Sequence, residues 1–211
     1  MPYEWFWCRI NLTKGSADTI LKELHKTEYG EHVIVIHPHI ATLSKAYSHY
    51  AKTQLENNNE TVLLLPYYEA TDAVKKNISE SNGNSNNSRI DIHKHEKEGS
   101  LVVVDGVKAH FKSDSDIVSF ISRLVKNAEN TGKTGISIFV DMGSFYHFGK
   151  PDDDVIEHEL SLPSRYHDIH MKRFCVYHEK DFGRLREENK QTLRNHHTRE
   201  LRIIDTSYFS K

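Results

Sequence analysis

The sequence predicts a three-layer α/β fold with a mostly parallel central sheet and helices on both faces. Short runs rich in Val, Ile, Leu and Phe recur along the chain, and helical patterns separate them. The runs are continuously apolar rather than alternating, which is typical of strands buried on both faces of a parallel sheet. The chain of 211 residues has room for such a sheet and its covering helices, so we expect one domain over residues 1–211.

The strands are predicted where the apolar runs fall, at 32–36, 62–65, 101–104, 136–140, 173–177 and 201–204. Short links between strands and helices favour parallel pairing through helical crossovers. These runs therefore place the carboxyl ends of several strands at one edge of the sheet, where ligands bind in open parallel sheets.

Helices are predicted from apolar residues that recur at helical spacing. The first covers about residues 16–26 and ends near Gly30, with Ala17, Ile20, Leu21 and Leu24 facing inward. Two later helices present apolar faces made of Leu43, Ala46, Tyr47, Tyr50 and Ala51, and of Ile117, Phe120, Ile121, Leu124, Val125 and Ala128. The capping-box pattern Ser113-x-x-Asp116 precedes the second of these faces, and residues 184–197 are predicted as a polar surface helix.

Two segments stand apart from this alternation of strands and helices. The aromatic start at residues 1–12, with Tyr3, Trp5, Phe6 and Trp7, is too apolar for a free tail and is expected to pack on the body or on another subunit. Residues 81–88 contain only Ser, Asn and Gly and are predicted to form a flexible surface loop.

Composition narrows the classes of function. The net charge of −2 argues against general nucleic-acid binding, which favours a basic face. No apolar run approaches the roughly 18–20 residues needed to span a bilayer, and the N-terminus has no basic-then-apolar leader, so a cytoplasmic location is expected. The two cysteines, Cys8 and Cys175, are predicted to be reduced, with Cys175 buried as a small hydrophobe.

The turn after the first predicted strand lacks nucleotide-binding features. Such a turn is glycine-rich and ends in Gly-Lys-Ser/Thr in nucleotide-binding α/β proteins, because phosphates need bare backbone N–H groups and a lysine. Here the turn is His37-Pro38-His39-Ile40, and no glycine lies between His32 and Asn82. Gly132-Lys133-Thr134 follows a helix and precedes a strand, which is the wrong order for a phosphate loop. The sequence therefore predicts a sensing or binding module rather than an NTPase.

The candidate ligand-binding residues are those that follow the predicted strands: His37, His39, Tyr67, Tyr68, Asp105, Asp141, Tyr177 and His178. Tyrosines would provide apolar walls, and histidines and aspartates would provide directed polar contacts. Asp141 has two interpretations: the Mg²⁺-holding acidic residue that ends a Walker B strand, or the cap of the turn at Gly143-Ser144. No catalytic residue is assigned.

Fifteen histidines also raise a metal hypothesis. His37 or His39 with Asp105, Asp141 and His178 would suit mononuclear zinc or iron. His-x-His pairs are common without metal, and no cofactor is expected. The pair His196-His197 is explained as a cap on the last polar helix, and Glu157 and Glu159 as charges that favour a helix start.

Several motifs resemble one known family. They are Gly30-Glu31-His32, Gly99-Ser100-Leu101-Val102-Val103-Val104-Asp105, Val140-Asp141-Met142-Gly143-Ser144, Phe174-Cys175-Val176-Tyr177, and His196-His197 before Leu201 and Ile203. Over about residues 29–204 the chain resembles the MEDS (methanogen/methylotroph sensory) domain family, degenerate relatives of RecA/KaiC-like ATPase domains. The resemblance implies a RecA/KaiC-like fold without a phosphate loop, and a module that senses small, often hydrocarbon-like molecules. Family members usually carry a kinase or DNA-binding output, for which this chain shows no pattern.

The leading hypothesis is a stand-alone sensory or ligand-binding module that acts through a signalling or regulatory protein partner. One alternative is a metal-dependent enzyme or a residual nucleotide hydrolase. The other is a homo-oligomeric interaction module that associates through its aromatic N-terminus. Neither membrane insertion nor direct nucleic-acid binding is expected.

Overall fold

The protein is built on one seven-stranded sheet in which every strand pair is parallel. The computed structural model describes residues 10–81, 89–111, 117–147, 149, 152–163 and 170–205. Within these ranges the strands are β1 (Asn11–Gly15), β2 (His32–His37), β3 (Thr61–Leu65), β4 (Leu101–Val103), β5 (Ile136–Asp141), β6 (Met171–His178) and β7 (Arg199–Ile203). Their order across the sheet is β1-β7-β2-β6-β5-β3-β4.

Helices connect the strands and cover both faces of the sheet. In the described ranges they are α1 (Ala17–His25), α2 (Ile40–Glu56), α3 (Thr71–Glu80), α4 (Ile92–Lys97), α5 (Gly106–Phe111), α6 (Ile117–Asn130), α7 (Gly143–Tyr146), α8 (Asp152–Leu160), α9 (Glu179–Arg184) and α10 (Glu187–His196). The predicted three-layer α/β fold with a parallel sheet is therefore confirmed. None of these helices combines the length and the apolar content that crossing a bilayer requires.

The sheet separates two hydrophobic cores because successive strand residues point to opposite faces. Val33 and Val35 of β2 pack in one core with α1, α2 and α3. Ile34 and Ile36 pack in the other core with α5 to α10. All residues of β2, β3 and β5 are buried, which explains why these strands are continuously apolar in sequence.

The strand predictions are confirmed for β2 to β7, whose observed ends differ from the predicted ones by at most two residues. Strand β1 was not predicted. Strand β1 has the sequence NLTKG, most of it exposed, and it pairs only with β7 at the edge of the sheet. An edge strand that faces solvent has no apolar run, so the criterion that found the other strands could not find it.

The helix predictions are confirmed in their positions and differ at some ends. Ser16 caps α1 through a hydrogen bond from the Thr19 N–H, but α1 ends at His25 rather than near Gly30. Gly30 instead has a φ of 89° in the turn that leads into β2. The polar segment 184–197 contains α10, and a separate short helix, α9, precedes it.

Several predicted features lie outside the described residues. These are Cys8 with the aromatic residues of the start, all of the Asn/Ser/Gly tract except Ser81, and the capping box Ser113-x-x-Asp116. The other cysteine, Cys175, is buried and free, as predicted.

Candidate functional site

The topology places a switch point at the carboxyl ends of β2 and β6, and we call the region outside these strand ends the switch-point crevice. These strands are neighbours, but the chain leaves them toward opposite faces of the sheet. Helix α2, which follows β2, packs in the core with Val33 and Val35, whereas α9 and α10, which follow β6, pack in the core with Ile34 and Ile36. Ligands of open α/β sheets bind at such a topological switch point.

His37 lies at the inner, buried end of this crevice. It is the last residue of β2, it is fully buried, and its register partner on β6 is His178. The two rings meet edge to face with 5.3 Å between their centroids. Neither ring nitrogen of His37 makes a hydrogen bond of ordinary geometry with the described residues. Burial lowers the pKa of His37 to about 4, with the backbone of His39 offsetting part of the effect, so the ring is neutral near pH 7.

Asp141 ties the end of β5 to the segment that follows β3. Its Oδ2 accepts hydrogen bonds from the backbone N–H groups of Tyr67, at 3.1 Å, and Tyr68, at 3.2 Å, and its Oδ1 accepts one from Gly143 at 2.9 Å. Burial raises the pKa of Asp141 to about 6, although these backbone hydrogen bonds act in the opposite direction. The bond from Gly143 confirms the interpretation of Asp141 as the cap of this turn.

Two tyrosines reach across the crevice from the β3 side. The Tyr68 hydroxyl donates to Asp181 of α9, and the Tyr67 hydroxyl lies 3.4 Å from His147 Nδ1, just beyond α7. Gly143 makes room for both rings: a Cβ atom there would lie 2.5 Å from Tyr67 Cδ1 and 2.7 Å from Tyr68 Cε2. The rings therefore approach the backbone so closely that only glycine fits.

His37 and Asp141 are near enough to serve one ligand. His37 pairs with His178 and Asp141 pairs with Val176, so two strand spacings and two residues separate them. With strands about 4.8 Å apart and a rise of about 3.3 Å per residue, their Cα atoms lie about 12 Å apart. A small-molecule pocket of ordinary size spans that distance.

Three of the predicted site residues do not join this group. His39 precedes α2 with an exposed side chain, 3.6 Å from Asp205 Oδ2. Asp105 is exposed and accepts a hydrogen bond from the Lys108 N–H at 2.9 Å. Tyr177 points to the opposite face of the sheet because side chains alternate along β6, and its hydroxyl donates to Glu159. The predicted metal set at this edge therefore does not assemble among the described residues.

A second polar group lies in the other core, and the sequence predictions missed it. It consists of His32, Glu159, Cys175 and His197, all buried, with one potential ligand atom from each within 4.8 Å of the others. Burial and the Glu159 carboxylate raise the pKa of the Cys175 thiol well above its usual range. Burial alone would raise the pKa of Glu159, but the hydrogen bond with His32 and the influence of His197 outweigh it and hold that pKa well below its ordinary value.

One sequence signal could have revealed Glu159 as a buried carboxylate, although not its partners. Glu159 stands three residues after Ile156 and four after Val155, which puts a carboxylate on the buried face of α8. The helix-start interpretation of Glu157 and Glu159 is wrong, because α8 begins at Asp152 and both glutamates lie beyond its first turn. His197 follows the last residue of α10, and its Nδ1 donates a hydrogen bond to the Leu193 carbonyl at 2.7 Å. Burial lowers the pKa of His197 to about 3, so it caps the helix by this bond and not by a charge that interacts with the helix dipole.

Comparison with known proteins gives no assignment for this chain. No family model matches it, and a search of curated proteins finds no match.

We expect the protein not to bind ATP. The turn at 37–39 offers no glycine-rich cradle of N–H groups, and Asp141 is committed to the backbone of Tyr67, Tyr68 and Gly143. Titration calorimetry with ATP and Mg²⁺ should give no heat of binding. A dissociation constant in the micromolar range would contradict this expectation.

Proposed function

We propose that the protein is a sensory module that binds a small organic molecule in the switch-point crevice, defined by His37, Tyr67, Tyr68, Asp141, His147, His178 and Asp181. The observation that carries this proposal is the buried, neutral imidazole of His37, whose ring interacts with the backbone of His39 but makes no hydrogen bond of ordinary geometry with the described residues. Buried polar groups nearly always have a partner, so such a ring at a ligand-binding edge is suited to bond a ligand.

The residues around His37 indicate the chemistry of the ligand. A neutral imidazole offers one donor and one acceptor, and the aromatic rings of Tyr67 and Tyr68 offer apolar contact. This combination favours an uncharged molecule with a short apolar body and one hydrogen-bonding group. The MEDS resemblance, which implies small hydrocarbon-like ligands, supports the same class.

The contact between Tyr68 and Asp181 offers a route from binding to signalling. It joins the segment after β3 to α9 across the crevice. A ligand that separates the tyrosine from the aspartate would favour a different position of α9, and a regulatory protein partner would distinguish the two positions. A shift in this equilibrium requires only that the ligand bind one position more tightly than the other.

The proposal is tested by thermal unfolding against a panel of short alcohols, amides, halogenated alkanes and ketones. We expect at least one compound to raise the melting temperature of the wild type but not of His37→Leu, which removes both ring nitrogens. The control is His93→Ala, because the side chain of His93 is fully exposed. Compounds that stabilise His37→Leu as much as the wild type, or a panel with no stabilising compound, would contradict the proposal.

Asp141→Asn tests the support of the crevice separately. The asparagine amide places an NH₂ group where one of the two carboxylate oxygens accepts backbone N–H bonds. Two donors then face each other at that position, and the hydrogen bond there is lost. We expect weaker binding of any compound that stabilises the wild type, with the fold retained. Unchanged binding by Asp141→Asn would show that the tyrosine segment does not contribute to the site.

A further inference from the structure

The buried polar group in the second core brings together four side chains of three kinds that metals bind. His32 opens β2, Cys175 lies in the middle of β6, Glu159 ends the buried face of α8, and His197 follows α10. His32, Glu159 and Cys175 are fully buried, and His197 is 6 % exposed. Elements that are far apart in sequence thus deliver imidazole, thiol and carboxylate to one point in the core.

Four of the six separations between the ligand atoms are close to those of a tetrahedral zinc site. His32 Nε2 lies 3.0 Å from Cys175 Sγ and 3.5 Å from Glu159 Oε2. Glu159 Oε2 lies 3.4 Å from Cys175 Sγ and 3.8 Å from His197 Nε2. Ligands held about 2.0–2.3 Å from zinc at tetrahedral angles are about 3.3–3.7 Å from one another, and the four ligand atoms here all lie within 4.8 Å of one another, so shifts of about 1 Å or less would complete the set.

Neighbouring groups orient these ligands as they do around known metal sites. The Nδ1–H of His197 donates to the Leu193 carbonyl at 2.7 Å, which leaves the Nε2 lone pair facing Glu159. The Tyr177 hydroxyl donates to Glu159 Oε1 at 2.9 Å, so Oε2 remains for a metal. Arg173 Nε lies 3.4 Å from Cys175 Sγ and would stabilise a thiolate there.

We propose that His32, Glu159, Cys175 and His197 bind one zinc ion in a closed structural site. Two imidazoles, a thiolate and a carboxylate are ligands that zinc accepts, and four protein ligands leave no open position for substrate. The ion would join β2, β6, α8 and the end of α10. Binding would release the proton of the Cys175 thiol. This site is independent of the switch-point crevice, and either can exist without the other.

A metal-free network is the competing explanation of these contacts. In that case the thiol donates to Glu159, and His197 Nε2 is a buried acceptor that makes no hydrogen bond with the described residues. An unsatisfied buried nitrogen destabilises the folded state. A metal ion at this position satisfies that nitrogen, which is why the geometry favours the ion.

The decisive experiment measures metal in the full chain, expressed without an affinity tag in zinc-supplemented medium. We expect about one zinc per chain in the wild type and in Cys8→Ser, which removes the other cysteine. Cys175→Ser and the near-isosteric Glu159→Gln should lose most of the zinc after gel filtration. Zinc retained in full by Cys175→Ser, or absent from the folded wild type, would overturn the proposal.

Cobalt binding gives a second test. It does not depend on substituting a residue of the buried site, which could itself unfold the protein. The wild type and Cys8→Ser are stripped with a chelator and titrated with Co²⁺, and we expect a thiolate-to-cobalt charge-transfer band in both. We also expect the stripped protein to melt at a lower temperature than the zinc-loaded protein. A wild type without that band, or a band lost in Cys8→Ser, would show that Cys175 does not bind metal.

Discussion

Lowering the pH from 7 to 4.5 should cost the protein about 2–3 kcal/mol of stability through His37 alone. The unfolded chain protonates this residue with a pKa of 6.5, whereas the buried ring protonates only near pH 4. Between these values the unfolded state binds more protons, so stability falls as the pH falls, by about 1.4 kcal/mol per pH unit. Urea unfolding at both pH values measures the effect.

The variant His37→Gln isolates this contribution because glutamine does not titrate. Its stability should depend on pH less than that of the wild type, by the same 2–3 kcal/mol or so. The contributions of the other titratable groups to the pH dependence are the same in both proteins, so they cancel in the comparison. Among them, burial lowers the pKa of His110 to about 3, which adds to acid instability, and raises that of Asp141 to about 6, which opposes it. Equal pH dependence in both proteins would mean that water reaches the His37 ring.

Replacing Glu60 with alanine should destabilise the protein by about 3–5 kcal/mol, because it leaves a buried lysine without its counter-charge. Glu60 is 2 % exposed. Its Oε1 accepts hydrogen bonds from Lys172 Nζ at 2.6 Å and from the Tyr29 hydroxyl at 2.8 Å, and its Oε2 accepts one from Ser137 Oγ at 2.6 Å. Chemical denaturation gives the free energy of unfolding directly.

The double variant Glu60→Leu/Lys172→Met is the control for this prediction. It removes both charges and fills the space with apolar side chains, so it should recover most of the stability that Glu60→Ala loses. A double variant as unstable as Glu60→Ala would mean that the hydrogen bonds of Tyr29 and Ser137, rather than the unpaired charge, account for the loss.

The sequence revealed the parts of the fold that burial controls. Strands buried on both faces are largely apolar, so β2, β3 and β5 were visible as runs such as Val33-Ile34-Val35-Ile36. The rule that ligands bind at the carboxyl ends of strands identified His37, His178, Tyr67, Tyr68 and Asp141 in advance, and the fold brings these residues together. Strand β1 was not predicted, because its pairing with β7 depends on backbone hydrogen bonds and not on an apolar pattern.

The buried polar group could not be found from local spacing. Metal motifs are recognised when two ligands stand a few residues apart, whereas His32, Glu159, Cys175 and His197 come from four separate elements. Cys175 lies in an apolar run and was interpreted as a small hydrophobe, and the pairing of β2 with β6 that brings it to His32 exists only in the folded sheet. The residues at strand ends were predictable, because the topology of a parallel sheet places the strand ends at one edge. The side chains inside the core were not, because their neighbours depend on how the helices pack on the sheet.

The order of strands across the sheet also determines the order in which the sheet can form during synthesis. Strands β3, β4 and β5 pair with one another and are all present once residue 141 has been made. Among the described strands, β2 pairs with β6 and β7 and β1 pairs with β7, so both emerge from the ribosome long before these partners. Until residues 171–203 follow, the apolar β2 has no neighbour to cover its backbone edges. Unpaired strand edges promote aggregation, so segment 32–37 is open to it for longer during synthesis than β3, β4 and β5 are.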